Sequence, residues 1–418
     1  MLVRLIIPFT ALLSGTCFLL LGIGLLNTLL PIRGGEAGYS GTLLGIITSC
    51  YFVGFLLGTF LGPRLIRRIG HIRAFAFCAA VVACCCLLYG LWLNPYVWML
   101  LRVLTGTALV TLYAILESWL NGQSSQEQRG QVFAIYMVAN LGSLALSQQL
   151  LHLNTDTALT LFALSSIFIS IALMPITVTR VVPPEVANAH GMKLRQVYAA
   201  APAACIGALL SGLAMGAFWG LTPLFISQLG LNEGTIANVM TAAIVGGALL
   251  QMPIGRYSDN HDRRVVLALV TLAGAVGAAL ILVTSGFSSG DIVPMLLAAA
   301  LYGGCAFTVY PLVVAHLIDN LKQEEVLEGS SGLLLVHGLG AAIGPTLAGI
   351  LMNVWGNIAL PVYFCVAHGL IAAATFWHLR RRPIPITGEE QSGHYIPMVR
   401  TTPEVLHLHP DQEETAPE

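Results

Sequence analysis

The chain has 418 residues, of which 56% are hydrophobic and 9% are charged, and its mean hydropathy is +0.80. A soluble globular domain carries about 25% charged residues, so this composition excludes an ordinary soluble fold. The net charge of −1 gives no indication of a nucleic-acid partner, and the sequence contains no phosphate-binding loop. We therefore expect a protein embedded in the lipid bilayer.

Apolar stretches long enough to cross a bilayer recur along nearly the whole chain. Lipid leaves only helices or closed barrels as spanning structures, and continuous apolar runs lack the alternation of a barrel. The first stretch is too long for a signal peptide and has no small-residue cleavage site, so we count it as a helix. The sequence predicts twelve transmembrane helices, near residues 5–30, 41–63, 73–93, 96–121, 130–151, 157–179, 199–226, 235–256, 264–285, 291–318, 328–351 and 357–379.

A polar stretch from Arg180 to Arg195 divides these helices into two sets of six. We predict an N-terminal bundle (1–180), a cytoplasmic linker (181–198), a C-terminal bundle (199–380) and a disordered, proline-rich and acidic tail (381–418). All Lys and Arg residues except Arg33 and Arg102 fall on one side of the predicted membrane. Positive charge concentrates on the cytoplasmic side, so both termini are predicted to be cytoplasmic. We expect a monomer.

A polar segment interrupts the apolar pattern at Gly255-Arg-Tyr-Ser-Asp259-Asn-His-Asp-Arg263-Arg264, and we predict a loop there. The first half of the chain holds a degraded copy at residues 62–73, in which Gly62 aligns with Gly255 and Gly54 with Gly247. A membrane protein that repeats one loop at half its length is expected to consist of two homologous bundles, which is typical of transporters.

This segment resembles the signature loop of the major facilitator superfamily. The resemblance implies two six-helix bundles that rock about a central site, with Asp259, Arg263 and Arg264 clamping them on the cytoplasmic side. The first copy, with Gly62, Arg67 and Arg68, departs from the pattern because Ile66 stands at the position of the acid.

Other motifs narrow the resemblance. Arg102-x-x-x-Gly106 is similar to the helix-4 arginine motif of the superfamily, which is associated with proton coupling. Helix 5 lacks the Gly-Pro pair of the antiporters, so drug–proton antiport is not implied. Three further motifs resemble those of a poorly characterised bacterial inner-membrane branch: Glu117-Ser-Trp-Leu-Asn121 with Tyr136, Asn27-Thr-Leu-Leu-Pro31, and Tyr310-Pro311.

Ionisable residues within a membrane helix cost about 2.5–3.5 kcal/mol each and therefore need a reason. Arg102, Gly106, Tyr113 and Glu117 fall on one helix face and predict a polar stripe along a water-filled path. Alternatively, Arg102 points outward to the interface and Glu117 forms a salt bridge in a gate. The proton-coupling candidates are Arg102, Glu117 and one of the histidines His316 and His337.

Polar and aromatic residues on several helices are candidates for lining a substrate cavity: Asn27, Tyr113, Tyr136, Asn140, Phe218, Trp219 and Tyr302. Interhelical hydrogen bonds and ordinary core packing are the alternative roles. Glycines at four-residue spacing, which permit close helix packing, occur at Gly54, Gly58 and Gly62, at Gly212, Gly216 and Gly220, and at Gly340 and Gly344.

These patterns predict a secondary active transporter of a small organic molecule, with proton coupling as the favoured energy source. An uncoupled uniporter and a non-transporting membrane sensor remain alternatives. No nucleophile–base or metal-ligand constellation stands out, so we expect no enzyme activity, no cofactor and no metal site. An organic anion, an amphipathic drug and a neutral metabolite all remain open as substrates, whereas the single intramembrane acid, Glu117, disfavours a strongly cationic one.

Overall fold

The computed structural model describes residues 9–124, 129–153, 158–178, 192, 194–286, 291–322, 325–381 and 395, without the side chains of residues 129, 130, 158 and 381. The described part of the chain is helical and contains no strand. It has twelve long helices: α1 (Thr10–Glu36), α2 (Gly41–Ile69), α3 (His71–Leu91), α4 (Pro95–Gln123), α5 (Arg129–Gln149), α6 (Ala158–Val178), α7 (Pro202–Gln228), α8 (Glu233–Asp259), α9 (Arg263–Ser285), α10 (Val293–Ile318), α11 (Val326–Trp355) and α12 (Ala359–Arg381).

Eleven of the long helices are long and apolar enough to cross a membrane. The remaining one is α5, which carries several polar residues, among them Asn140, Ser147 and Gln148. Many large apolar side chains on the outer surfaces of the helices are exposed, such as Leu100, Val138 and Leu249. A soluble monomer does not expose apolar surface on this scale, so the outer surface is the one that meets lipid.

The two halves repeat one packing scheme. In the first half, α2 packs against α4, α1 against α5 and α6, and α3 against α6. In the second half, α8 packs against α10, α7 against α11 and α12, and α9 against α12. Each contact recurs six helices later, which confirms the predicted pair of pseudo-symmetric six-helix bundles.

Glycines bring the helix backbones together, as their spacing predicts. A Cβ atom on Gly54 of α2 would overlap the backbone of Val103 on α4, and one on Gly106 of α4 would overlap the backbone of Tyr51. The same reciprocal contact recurs between α8 and α10, with Gly246 against Ala300 and Gly303 against Ala243.

These contacts make Gly246 the structural counterpart of Gly54. The sequence alignment instead places Gly247 at the position of Gly54, one residue further along. Since positions 246 and 247 are both glycine, the sequence does not distinguish them. Gly247 instead lies against the ring of Phe307.

The two repeated polar segments are mostly helical, so the prediction of a long loop at residues 255–264 was wrong. Helix α8 continues through Pro253 to Asp259, which leaves Asn260–Asp262 as the connection to α9. Helix α2 continues through Pro63 to Ile69, and a single residue, Gly70 with a φ of 81°, separates it from α3. Proline is tolerated inside such helices because neighbouring helices satisfy the freed backbone groups.

The helix ends fall on two faces. The basic face carries the α2–α3, α8–α9 and α10–α11 connections, with exposed Arg67, Arg68 and Lys322. The opposite face carries the α1–α2 connection with Arg33. It also carries the N-terminal ends of α4, α8 and α10. Among the described residues, Arg67, Arg68 and Lys322 thus lie on the face opposite Arg33.

The linker ends in a short helix, Leu194–Ala200, that the sequence analysis did not predict. Its Val197 is buried against Gly332 of α11, and the backbone N–H of Met192 donates to the carbonyl of Glu328. The predicted disordered tail lies outside the described residues except for Arg381, which ends α12, and Tyr395, which is buried.

Candidate functional site

The two bundles meet in a seal near the opposite face. Helix α2 contacts α11 there, where the Ser49 and Thr346 hydroxyls share a hydrogen bond of 2.7 Å. A Cβ atom on Gly45 would overlap the carbonyl of Pro345, and one on Gly349 would overlap the carbonyl of Gly41. Small residues thus allow the two bundles to touch backbone to backbone.

Polar contacts between the bundles extend this seal. Gln149 of α5 donates to the Thr241 hydroxyl of α8 at 2.6 Å, which is the pseudo-symmetric counterpart of the α2–α11 contact. Arg33, which also bonds Glu36 at 2.7 Å, lies 3.4 Å from Glu233 across the interface. The bundles are therefore joined on the side of Arg33.

A cavity of about 120 Å³ lies between the bundles on the basic side of the seal. By the same measure about 10–15 Å³ accommodates one water molecule, so this space is large enough for a small organic molecule or several waters. Along α2 the seal residues are followed by the cavity residues, and along α11 the order is reversed. The cavity is lined by Tyr51, Phe52, Phe55, Leu56, Thr59, Met215, Trp219, Ala306, Phe307, Tyr310, Leu334, Leu335, His337, Gly338 and Ala341.

Arg102 lies behind this cavity, inside the N-terminal bundle. Its side chain is 2% exposed, and its Nη1 donates a 2.7 Å hydrogen bond to Oδ1 of Asn27 on α1. The guanidinium carbon is 5.4 Å from the centre of the Tyr51 ring, which lines the cavity. The side chain thus turns into the bundle and does not extend to the interface. A cation over an aromatic face is stabilised by the ring quadrupole.

The remainder of the predicted polar stripe is also covered by protein. Gly106 lies against the backbone of α2, and Tyr113 and Glu117 are fully buried. The stripe does not line the cavity, because Gly106 packs on α2, Arg102 bonds to α1 and Glu117 bonds to α5. This placement corrects the prediction of a water-filled path along α4.

Glu117 forms a buried polar pair with α5. The hydroxyl of Tyr136 donates to Oε1 of Glu117 at 3.1 Å, and both side chains are fully buried. Asn140, one turn further along α5, is buried as well. A carboxyl group held in this way can bind or release a proton only when its surroundings open.

An aromatic cluster fills the centre of the C-terminal bundle. Trp219 stacks on Phe307 with a centroid distance of 5.6 Å, and both residues line the cavity. Phe218 contacts Phe307 at 5.7 Å and Tyr302 at 5.8 Å. Tyr302 in turn stands 5.3 Å from the buried His368. Among the aromatic candidates, Trp219 therefore forms the cavity wall, and Phe218 and Tyr302 support it from behind.

The two candidate histidines lie in different parts of the molecule. His337 lines the cavity, lies 4.4 Å from the Tyr310 ring and bonds the carbonyl of Ala208 through Nδ1 at 3.2 Å. His316 lies near the basic face beside Arg264 and Asp262. Only His337 is placed to contact a molecule in the cavity.

The signature residues form a polar network at the basic face of the C-terminal bundle. Arg263 donates to Asp319 at 2.6 Å, to Asp259 at 3.0 Å and to Ser258 at 3.1 Å. These bonds join the ends of α8, α9 and α10. These three bonds lie within the C-terminal bundle, whereas the resemblance implied a clamp between the bundles.

Asp262 and Arg264 form a second ion pair in this network, with Nη2 of Arg264 2.9 Å from Oδ2 of Asp262. Oδ1 of Asp262 also accepts the backbone N–H of Arg264 and so caps α9. Burial alone would raise the pKa of Asp262, but the hydrogen bonds from Arg264 lower it below its usual value.

The first-half counterpart differs from this network at the position of the acid. Ile66, which replaces the acid, is buried, whereas Arg67 and Arg68 are exposed. Gly62 lies against Thr111 of α4, where an added Cβ atom would be 2.7 Å from the hydroxyl oxygen.

The sequence analysis did not select Tyr51, Phe55, Thr59 or Tyr310 as cavity residues, although Tyr310 was noted in a motif. Single aromatic residues in an apolar helix give no signal of the face on which they lie. Gly54, Gly58 and Gly62 of α2 do give such a signal, because they mark the face that meets α4 and leave the adjoining face to the cavity.

Two pseudo-symmetric six-helix bundles around a central cavity define a polytopic membrane transporter fold. The family model of the Major Facilitator Superfamily matches residues 12–200 and 204–407. The chain therefore belongs to the major facilitator superfamily, whose members are transporters and not enzymes.

Two bacterial relatives are similar to this chain over most of its length. The uncharacterised MFS-type transporter YcaD of Salmonella enteritidis PT4 is 27% identical over 378 residues, which cover 89% of this chain and 94% of that protein. YcaD of Escherichia coli O17:K52:H18 matches to the same extent.

Solved structures share the fold. The D-xylose-proton symporter superposes with a TM-score of 0.71 at 14% identity, covering 92% of this chain and 99% of the other. The nucleoside transporter NupG gives 0.69 at 14% identity, covering 90% and 98%. A bacterial homologue of the human lysosomal transporter Spinster, inward-facing and unoccupied, gives 0.70 at 14% identity, covering 90% and 98%.

Proposed function

We propose that this protein is a proton-coupled secondary active transporter that moves a small organic molecule by alternating access. The observation that supports proton coupling is the buried pair of Glu117 and Tyr136. A fully buried carboxyl group is costly in a membrane protein and is retained where it takes part in proton transfer. Its position beside α5, a helix that contacts the other bundle through α8, would let bundle movement open it to water.

The cavity supports an uncharged or weakly charged substrate with substantial apolar surface. Its wall is mainly aromatic and aliphatic, with Thr59, the Tyr51 and Tyr310 hydroxyls and His337 as polar groups. Aromatic walls bind planar or apolar groups well, and a few polar groups fix orientation. The wall contains no carboxylate, which makes a strongly cationic substrate less favourable.

The orientation that we propose places the basic face, and with it both termini, in the cytoplasm of a bacterium. In that orientation the seal closes the periplasmic side and the cavity belongs to an inward-facing state. The similarity to an inward-facing Spinster homologue is consistent with this orientation. The D-xylose-proton symporter shares the fold and is a proton-coupled protein by name.

Proton movement in proteoliposomes tests the proposal. Purified protein with an internal pH-sensitive dye is challenged with a panel of organic anions, sugars, amino acids, nucleosides and hydrophobic drugs. We expect a substrate-dependent pH change that falls at least about tenfold in Glu117→Gln, because an amide cannot carry the proton. Glu325→Gln, at an exposed acid of the basic face, is the control.

Each alternative has its own outcome. Radiolabel uptake without any pH change would contradict proton coupling and favour a uniporter. Saturable binding without uptake of any compound would favour a sensor. A pH change that persists in Glu117→Gln would remove Glu117 from the mechanism.

A further inference from the structure

One residue of the C-terminal tail, Tyr395, is inserted into the C-terminal bundle at the basic face. Its backbone N–H donates to Oδ1 of Asp259 at 2.8 Å, and its side chain is buried. The ring lies against Gly255, where even one Cβ atom would overlap it, and beside Thr308 of α10. The tyrosine thus fills a groove between α8 and α10.

The first-half position that the sequence aligns with Gly255 is packed differently. This residue, Gly62, lies directly against Thr111 of α4. At Gly255, an added Cβ atom would instead meet the ring of Tyr395. Thr111 and Thr308 occupy equivalent positions on α4 and α10, since they follow five residues after Gly106 and Gly303.

Docking joins the tail to the polar network of the signature residues. Asp259 accepts from Tyr395 and from Arg263, and Arg263 also bonds Asp319 at the end of α10. Burial raises the pKa of the Tyr395 hydroxyl well above its usual value, so the ring docks uncharged. Tyr395 therefore contacts both α8 and α10. It bonds the same Asp259 carboxylate that links α8 to Arg263 of α9.

We propose that the groove between α8 and α10 is a binding site for the chain's own Tyr395, and that docking stabilises the present arrangement of the basic-face helix ends. The segment from Arg381 to Tyr395 can reach about 45 Å when extended, so its length does not prevent docking within one molecule. Tethering supplies an effective concentration on the order of millimolar, so even a weak pocket stays occupied.

The conformational part of this inference rests on the proposed alternating access. A state in which the basic face closes must move α8 and α10, and it must then accommodate or release the ring. Tyr395 docks in the conformation whose seal lies on the opposite face. Docking therefore shifts the equilibrium between the two conformations towards this one. Loss of docking is expected to raise the population in which the basic face is closed.

Hydrogen–deuterium exchange on the full-length protein in nanodiscs tests docking itself. We expect the backbone amide of Tyr395 to exchange at least about tenfold more slowly in the wild type than in Gly255→Ala, whose methyl group displaces the ring. Gly369→Ala on α12 is the matched control, because an added Cβ atom there meets nothing within 4 Å. Equally fast exchange in the wild type and Gly255→Ala would overturn the proposal.

A second measurement tests the effect on conformation. Spin labels attached to p-acetylphenylalanine at Arg68 and Lys322, exposed residues of the two bundles on the basic face, report their separation without using the nine native cysteines. In Tyr395→Ala we expect a larger fraction at short distance than in the wild type. An unchanged distribution would overturn the stabilising effect. Protection of Tyr395 does not depend on any transport assay, so failure of the proposed transport function would be seen separately.

Discussion

At the scale of single residues, the N-terminal bundle depends on a buried cation and its partners. The guanidinium of Arg102 is removed from water, donates to Asn27 and lies over Tyr51. A buried charge that loses a hydrogen-bond partner is strongly destabilised, because the lost bond is not replaced by one to water. We therefore expect Asn27 to contribute more to the free energy of unfolding than a buried asparagine without a charged partner.

We predict that Asn27→Ala lowers the free energy of unfolding in detergent by about 1.5–3 kcal/mol, since hydrogen bonds to charged groups contribute this much. Thermal unfolding followed by intrinsic fluorescence measures the loss. Asn140→Ala is the control, because it truncates a second buried amide, on α5 of the same bundle. An equal loss in both variants would show that truncation of a buried amide, and not support of Arg102, sets the cost.

Sequence reasoning found the buried charges but not all of their surroundings. An arginine or a glutamate in an apolar helix is conspicuous, so Arg102 and Glu117 could be selected without a structure. The cation–aromatic contact with Tyr51 could not, because it depends on how α2 crosses α4. The same holds for Tyr395, which lies in a polar tail where no periodic pattern indicates docking.

At the scale of helices, the seal depends on small residues that face each other across the bundles. Gly45 on α2 lies against the carbonyl of Pro345 on α11, and Gly41 lies against Gly349. The spacing visible in the sequence selected Gly54, Gly58 and Gly62 of α2 and Gly340 and Gly344 of α11, all of which pack within a bundle. The glycines of the seal were not selected, and contacts within and between bundles need the same small residues.

The helix ends show a second limit of the sequence. Charged residues and prolines near residues 62–73 and 255–264 suggested loops, yet the two helices continue to Ile69 and Asp259. Polar side chains are compatible with helix wherever water or a polar network receives them. The network of Arg263 with Asp259 and Asp319 does this for α8.

We predict that Gly45→Ala weakens the seal and increases the population with the opposite face open. The added methyl group cannot fit against Pro345 while α2 and α11 stay in contact, and overpacking of this kind costs about 1–3 kcal/mol. Spin labels on p-acetylphenylalanine at Leu93 and Ile358, exposed on the opposite face in different bundles, should move apart.

The control for this substitution is Gly142→Ala on α5, where an added Cβ atom meets no other atom within 4 Å. Its distance distribution should equal that of the wild type. If Gly45→Ala also left the distances unchanged, the α2–α11 contact would not hold the bundles in this state.

At the scale of the whole molecule, the two bundles use one packing scheme for two tasks. Within each bundle, α2 with α4 and α8 with α10 form the same glycine-mediated crossing. Between bundles, α2 with α11 and α5 with α8 are equivalent pairs. An interface built from equivalent helices can exchange a seal on one face for a seal on the other by a rotation of one bundle against its partner.

The charge distribution predicts the orientation of this symmetric framework in the membrane. We predict that Arg68 and Lys322 face the cytoplasm, whereas Leu93 and Ile358 face the periplasm, because basic residues are retained on the cytoplasmic side. With p-acetylphenylalanine at each position in turn, a membrane-impermeant alkoxyamine should label Leu93 and Ile358 in intact spheroplasts. It should label Arg68 and Lys322 only after lysis. The reverse pattern would place the cavity on the periplasmic side of its seal, and the inward-facing assignment would then become outward-facing with no change in any contact within the protein.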